Sequence, residues 1–218
     1  MTTAPGCPRC LGPLRPPDEG SSQWRCGQHG YVLPWHQATA APDEALSQLA
    51  EAASVPVWVA SPMPVHWYVG GVGWAGDDWA GAKAVALATA GPSPLGGPAD
   101  MVLAAETPGG GLGARLAGIH GTDPERLLDT RPEAKVEAAG HPTPMWPVRT
   151  PSDRAAFLGE AGGVWLWLVL WPANAAVLLL EQLVLEDLRE LPALRSRLAF
   201  GAPTDRLATR PPRVSADD

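Results

Sequence analysis

All three cysteines of this chain fall within its first twenty-six residues, and their spacing limits what that region can become. Cys7-Pro8-Arg9-Cys10 is followed, after fifteen residues, by Cys26-Gly27-Gln28-His29. Tetrahedral zinc takes four N or S ligands, and two short knuckles that each supply two of them present such a set well. The pattern predicts one structural zinc ion held by Cys7, Cys10, Cys26 and His29. Three cysteines, an odd number, fit three ligands better than a disulfide framework. Reduced thiols suit the cytosol, so the expected location is cytoplasmic. The N terminus lacks a charged stretch followed by an apolar run, and no signal peptide is expected.

The segment between the knuckles carries Gly12, Pro13, Pro16, Pro17 and Gly20. These residues favour loop and hairpin over helix, which argues against a ββα finger whose helix must bear two histidines. Trp24, Tyr31, Val32 and Trp35 can cover the site on one side. So small a unit has almost no core, so metal binding would supply most of its folding free energy, on the order of 10 kcal/mol. Two alternatives remain open at this level. His36 could replace a ligand, and Cys7/Cys10 could be a redox pair, although no βαβ pattern surrounds them.

The rest of the 218 residues leaves room for one medium domain beside the ribbon. A chain that is 45% hydrophobic and 18% charged can bury a core, which argues against disorder. Proline and glycine are frequent but not periodic, so many turns are expected. The net charge of −7 suits non-specific nucleic-acid binding poorly, because that binding rests on neutralising phosphates. The ribbon itself sets Arg9, Arg15 and Arg25 against Asp18 and Glu19 and is not a basic patch.

The organisation expected is a zinc-ribbon-like domain over 1–36, a linker with a short helix over 37–55, a domain over 56–200 and a mobile tail over 201–218. The linker helix starts at Pro42-Asp43-Glu44, with acids in its first turn. The large domain is expected to be α+β, on a largely antiparallel sheet. Strands are predicted at Val57–Val59, Val65–Trp74, Lys83–Thr89, Met101–Glu106, Val136–Ala139 and Met145–Val148. His141-Pro142-Thr143-Pro144 reads as a loop between the last two.

Residues 164–180 are the most apolar stretch and reach the lower length limit of a membrane span. Pro172 and Asn174 interrupt it, acids follow it, and no basic cluster anchors either end. A buried strand over 164–171, a turn and a second apolar element are therefore expected, with no stable membrane insertion. Alternation places Trp165, Trp167 and Trp171 on one face and Val164, Leu166, Leu168 and Leu170 on the other. Both faces are apolar, so the strand should be central and covered twice. Beyond it, Leu180, Val184, Leu188, Leu191 and Leu194 recur at helical spacing and predict a helix over about 181–191. A strand over Val177–Leu185 is the alternative.

Catalytic signals are sparse. Gly109, Gly111 and Ala114 formally match G-x-G-x-x-A after a strand, but Gly118 and Gly121 stop any crossover helix. The reading is a solvent loop and a short helix, where Arg115 could bind an anion. Asp77-Asp78 reads as a turn rather than a cation site, and Asp153-Arg154 is the other charged pair of note. His120 and His141 read as solvated loop histidines. No nucleophile elbow, HExxH or P-loop occurs. The tryptophans could line a ligand cleft, although core packing accounts for them.

Five segments carry a resemblance: CPRCLGPLRPP, WRCGQHG, GVGWAGDDWAGAKAVALATAGPSPLGGP, HPTPMWPV and DRAAFLGEAGGVWLWLVLWP. Together they resemble an uncharacterised bacterial family, a domain of unknown function of roughly 200 residues with an N-terminal zinc ribbon. The resemblance implies architecture and no activity. The function expected is a non-enzymatic binding or regulatory protein with protein partners, its ribbon a structural or docking module. The alternatives are a small-molecule-binding domain or enzyme in the Trp- and Gly-rich region, and a nucleic-acid-binding ribbon.

Overall fold

The chain builds two sheets. The computed structural model describes residues 4–38, 42–119, 124, 128 and 130–208. His120 and the end of the expected tail, beyond Ala208, lie outside the described residues. The knuckle region forms a small antiparallel sheet of β1 (Leu14–Arg15), β2 (Arg25–Cys26) and β3 (Gly30–Tyr31), in that order. β4 (Trp35–Ala38) and α1 (Pro42–Ala52) follow, then β5 (Trp58–Ala60), β6 (Tyr68–Asp77), β7 (Gly81–Pro92) and β8 (Pro98–Glu106). Next come α2 (Leu112–Ala117), β9 (Ala134–Ala138), β10 (His141–Val148), β11 (Ala155–Ala161), β12 (Val164–Trp171) and β13 (Leu183–Asp187). The short helix α3 (Pro192–Arg195) comes after β13, and 3-10 segments cover Ala173–Leu180 and Asp205–Ala208.

Ten strands form the large sheet, in the order β4-β6-β7-β8-β12-β11-β10-β9-β13-β5. Every neighbouring pair is antiparallel except β9 with β13. The α+β class with a largely antiparallel sheet is therefore what the chain adopts. β12 lies between β8 and β11, and its alternation sorts as the side chains dictate. Leu166, Leu168 and Leu170 join a core with Leu87, Leu103, Trp58 and Leu185. Trp165, Trp167 and Trp171 join a second core with Val102, Leu112, Leu116 and Leu207 on the opposite face. Each fully buried leucine contributes about 1.5–3 kcal/mol relative to exposure, so a strand buried on both faces anchors the sheet.

Four segments depart from the sequence expectation. Residues 183–187 are strand β13 rather than helix; β13 pairs with β9 in parallel and with β5 antiparallel. These backbone partners outweigh the local helical spacing: of the residues that carry it only Val184 lies in β13, and the strand instead buries Leu183 and Leu185. Asp187, at the end of this strand, is buried. It accepts the Val57 N–H at 3.0 Å and pairs with the Arg189 guanidinium at 2.7 Å. His141–Pro144 is the first half of β10 and not a loop. Its residues 141–145 pair with β9, and pairing with β11 begins at Trp146, which leaves the prolines a side where no N–H is needed. β4 and β11 had no counterpart in the sequence reading, and β4 carries the chain straight from the knuckles into the large sheet.

No helix among the described residues is long and apolar enough to cross a membrane. Residues 201–208 pack onto the domain: Gly201 N donates to Val69 O at 3.1 Å, and Leu207 is fully buried.

Candidate metal centre

Each knuckle is shaped by its own backbone. In the first, Leu11 N donates to Cys7 O at 2.8 Å and Cys7 N to Gly12 O at 2.9 Å, with Leu11 in the left-handed region at φ 57°. Gly12 N also points at Cys10 Sγ at 3.4 Å. In the second, Gly30 turns the chain at φ 69° into β3, which returns beside β2. The outcome is that the ligand atoms of Cys7, Cys10, Cys26 and His29 all lie within 4.8 Å of one another. Cys10 Sγ is 3.9 Å from Cys26 Sγ, and His29 Nδ1 is 3.5 Å from Cys7 Sγ and 3.6 Å from Cys26 Sγ. A tetrahedron with Zn–S bonds of about 2.3 Å has S···S edges of about 3.8 Å. The four predicted residues are thus brought together at ligand spacing and are able to hold a metal ion. His36, the substitute considered, is elsewhere: it stacks on Trp74 at 5.3 Å and its Nε2 lies 3.2 Å from Gly76 O.

The thiols sit in unequal surroundings. Burial pushes Cys7 up to about 12, against backbone N–H groups that favour its thiolate. Burial also acts to raise Cys26, but the N–H groups of Gln28 and His29 and the neighbouring thiols outweigh it, and its net shift is downward. A metal ion would draw all three into the thiolate form.

Under the first knuckle lies a seat made by the glycine-rich segment. Arg9 donates from Nε to Gly110 O at 3.3 Å and from Nη2 to Gly109 O. Gly111, at φ 77°, has no room for a side chain, since a Cβ there would stand 2.8 Å from Arg9 Cγ. Glu106 closes the seat from below, accepting Leu112 N at 2.7 Å and Gly113 N at 3.1 Å at the start of α2. Its carboxyl is pushed up by complete burial, in part offset by those two N–H groups, Trp167 and Arg9. The segment read as a solvent loop is therefore a packing surface for the knuckle.

Arg115 is likewise buried and not an anion site. Its Nε donates to Pro8 O inside the first knuckle at 2.7 Å, its Nη1 donates to Leu207 O at 2.9 Å, and its guanidinium lies 5.0 Å from the Trp35 ring. Burial lowers it to about 10, while Cys7, Glu106 and Cys10 act to raise it, so it remains charged at neutral pH. Were the cluster to hold a divalent ion, three thiolates and one neutral imidazole around it would carry a net −1, which this cation would help to balance. Sequence reasoning missed Arg9 and Glu106. Their partners lie 101 and 6–7 positions away, and only a G-x-G run marks the place.

The remaining candidates have structural roles. Arg154 grips Asp153 through two contacts at 2.8 and 2.9 Å and donates to Leu116 O at 3.0 Å. The Arg154 hydrogen bonds hold the Asp153 carboxyl below its ordinary value. Asp77 caps its own turn through Trp79 N and Ala80 N. His141 is exposed at the start of β10. Trp58, Trp67, Trp165, Trp167 and Trp171 are core residues, whereas Trp79 is 98% exposed.

A Cys3His cluster able to hold a metal ion, seated on an α+β domain, defines the class of this protein. The chain belongs to a family of unknown function, DUF6758, whose model matches residues 1–207. No curated protein and no solved structure matches it.

Proposed function

We propose that this is a non-enzymatic binding protein in which the cluster carries one structural zinc ion. The observation that carries this reading is the closure of the site: four protein ligand atoms lie within 4.8 Å of one another, with Cys7 and Cys26 buried. A catalytic zinc keeps a position open for water, whereas a structural one is closed by four protein ligands. Three soft thiolates with one imidazole suit zinc better than hard cations. The ribbon is tied to the large sheet by Arg9 and Arg115, so the ion stabilises a surface that spans both. Protein partners fit this reading, and the net charge of −7 disfavours nucleic acid. Thiolate ligands fit a reducing, cytoplasmic setting.

The test is affinity capture with the intact chain and with Cys26→Ser, alongside metal content. Loss of a specific partner together with zinc supports the reading. A chain that binds no zinc contradicts it, whereas an unchanged partner set in zinc-free Cys26→Ser leaves the ribbon a structural module only.

A further inference from the structure

The knuckle that holds Cys26 and His29 also makes one wall of a cleft. Trp24 precedes β2, Tyr31 ends β3, and Val32 N donates back to Trp24 O at 3.1 Å. The facing wall is the tip of the β6–β7 hairpin, with Asp77 and Trp79. The cleft between them has a volume of about 640 Å³.

Two features set this cleft apart from an ordinary surface depression. The first is its aromatic exposure: Trp79 is 98% and Tyr31 58% accessible. Trp79 is held outward by a fixed turn, because Asp77 Oδ1 accepts Trp79 N at 3.1 Å and Ala80 N at 2.7 Å. Gly76 allows the hairpin to close this tightly, since a Cβ there would overlap the Gly81 and Ala82 backbone. The turn fixes where the backbone carries this ring, and exposed tryptophan and tyrosine are among the residues most enriched in binding hot spots. The second feature is charge. Among the described residues lining the cleft, Asp77 is a carboxylate and no lysine or arginine occurs, and Asp78 is exposed beside it. Arg25 lies 5.6 Å from the Tyr31 ring and braces it within the ribbon.

Exposed aromatic rings beside a carboxylate suit an occupant that offers both apolar rings and a cation. Proline rings pack on aromatic faces, and an extended proline-rich segment has already given up most of its conformational freedom. Arginine completes the match by pairing with a carboxylate. We propose that this cleft binds an extended, proline-rich protein segment carrying arginine. The proposal rests on the binding-protein reading above and names the partner's chemistry. Trp24 lies two positions from Cys26 and Tyr31 two positions from His29, so this wall is built on the cluster.

The experiment titrates the full, zinc-loaded chain with a synthetic proline-rich peptide bearing two arginines, followed by calorimetry. Saturable binding is expected. Trp79→Ala and Tyr31→Ala should each weaken it at least about tenfold. Asp77→Asn keeps the acceptor that caps the turn but removes the charge; it should lower affinity and weaken its salt dependence. Replacing the peptide's arginines by glutamine should do the same. An unchanged melting curve for Trp79→Ala shows that contact, not folding, was lost. The proposal is overturned if no saturable binding occurs, if binding ignores both aromatic substitutions, or if a neutral oligosaccharide binds in the peptide's place. Each of those results leaves zinc content intact, whereas failure of the zinc reading shows itself as a metal-free chain.

Discussion

The Arg115 guanidinium reaches across 107 sequence positions to donate a 2.7 Å hydrogen bond to the carbonyl of Pro8, inside the first metal knuckle. Its other arm holds Leu207 O at 2.9 Å, so one side chain joins the ribbon, α2 and the C-terminal 3-10 segment. The ribbon is thereby part of the domain's second core, and damage to either should be felt by both.

Arg115→Lys tests this coupling. Lysine keeps the charge but has no planar fork to serve two carbonyls at once. Losing one buried charge-assisted bond should cost about 1.5–3 kcal/mol. For a chain of this size that lowers the melting temperature by roughly 2–4 °C per kcal/mol. Calorimetric melting checks it; an unchanged melting temperature would mean the fork is dispensable. Arg115→Ala should cost more, about 2–6 kcal/mol, because the carbonyls of Pro8 and Leu207 both lose their donor.

Glu106 predicts a pH effect with a definite sign. Burial raises its pKa in the folded chain. Between the unfolded and folded values the native state holds a proton that the unfolded state has released, so its contribution to stability falls as pH rises through that window. The contribution is fully present only below the unfolded value of about 4.3. Glu106→Gln removes the titration. Its stability relative to the parent should rise with pH across the window and then level off. Denaturant titrations at several pH values, with zinc saturating, measure it; a difference independent of pH contradicts the account.

Gly113→Ala tests the packing under the seat. A Cβ at Gly113 would fall into the Trp167 indole, which is completely buried and has nowhere to retreat. Overpacking of this kind costs about 1–3 kcal/mol or more. Gly27→Ala is the control, since no atom lies within 4 Å of its added Cβ. It should stay within about 0.5 kcal/mol. Equal stability of the two variants in urea would refute the close approach.

Much of this architecture is legible in the chain because it rests on local pattern. The knuckle spacing names the four clustered residues. The alternation in 164–171 separates the three tryptophans from the three leucines that the two cores then claim. What escaped rests on partners distant in sequence. β11 reads Ala-Ala-Phe-Leu-Gly-Glu-Ala, poor in strand formers, and becomes a strand because β10 and β12 pair on both sides. Around β13 a helical period through Leu180, Val184 and Leu188 competes with the alternation of Leu183 and Leu185, and the strand's neighbours decide. Arg115 and Glu106 carry no local sign of their role, since burial under a knuckle a hundred positions earlier cannot be seen from the residues around them.

Cys7, Cys10, Cys26 and His29 are proposed to hold one zinc ion, which shapes the ribbon that Arg9 and Arg115 fasten to the domain. Metal analysis of the purified full chain tests it most directly. The account predicts one equivalent of zinc per chain, lost together with thiol protection in Cys26→Ser. A chain free of metal, with all three thiols reacting readily while the fold persists, would contradict it.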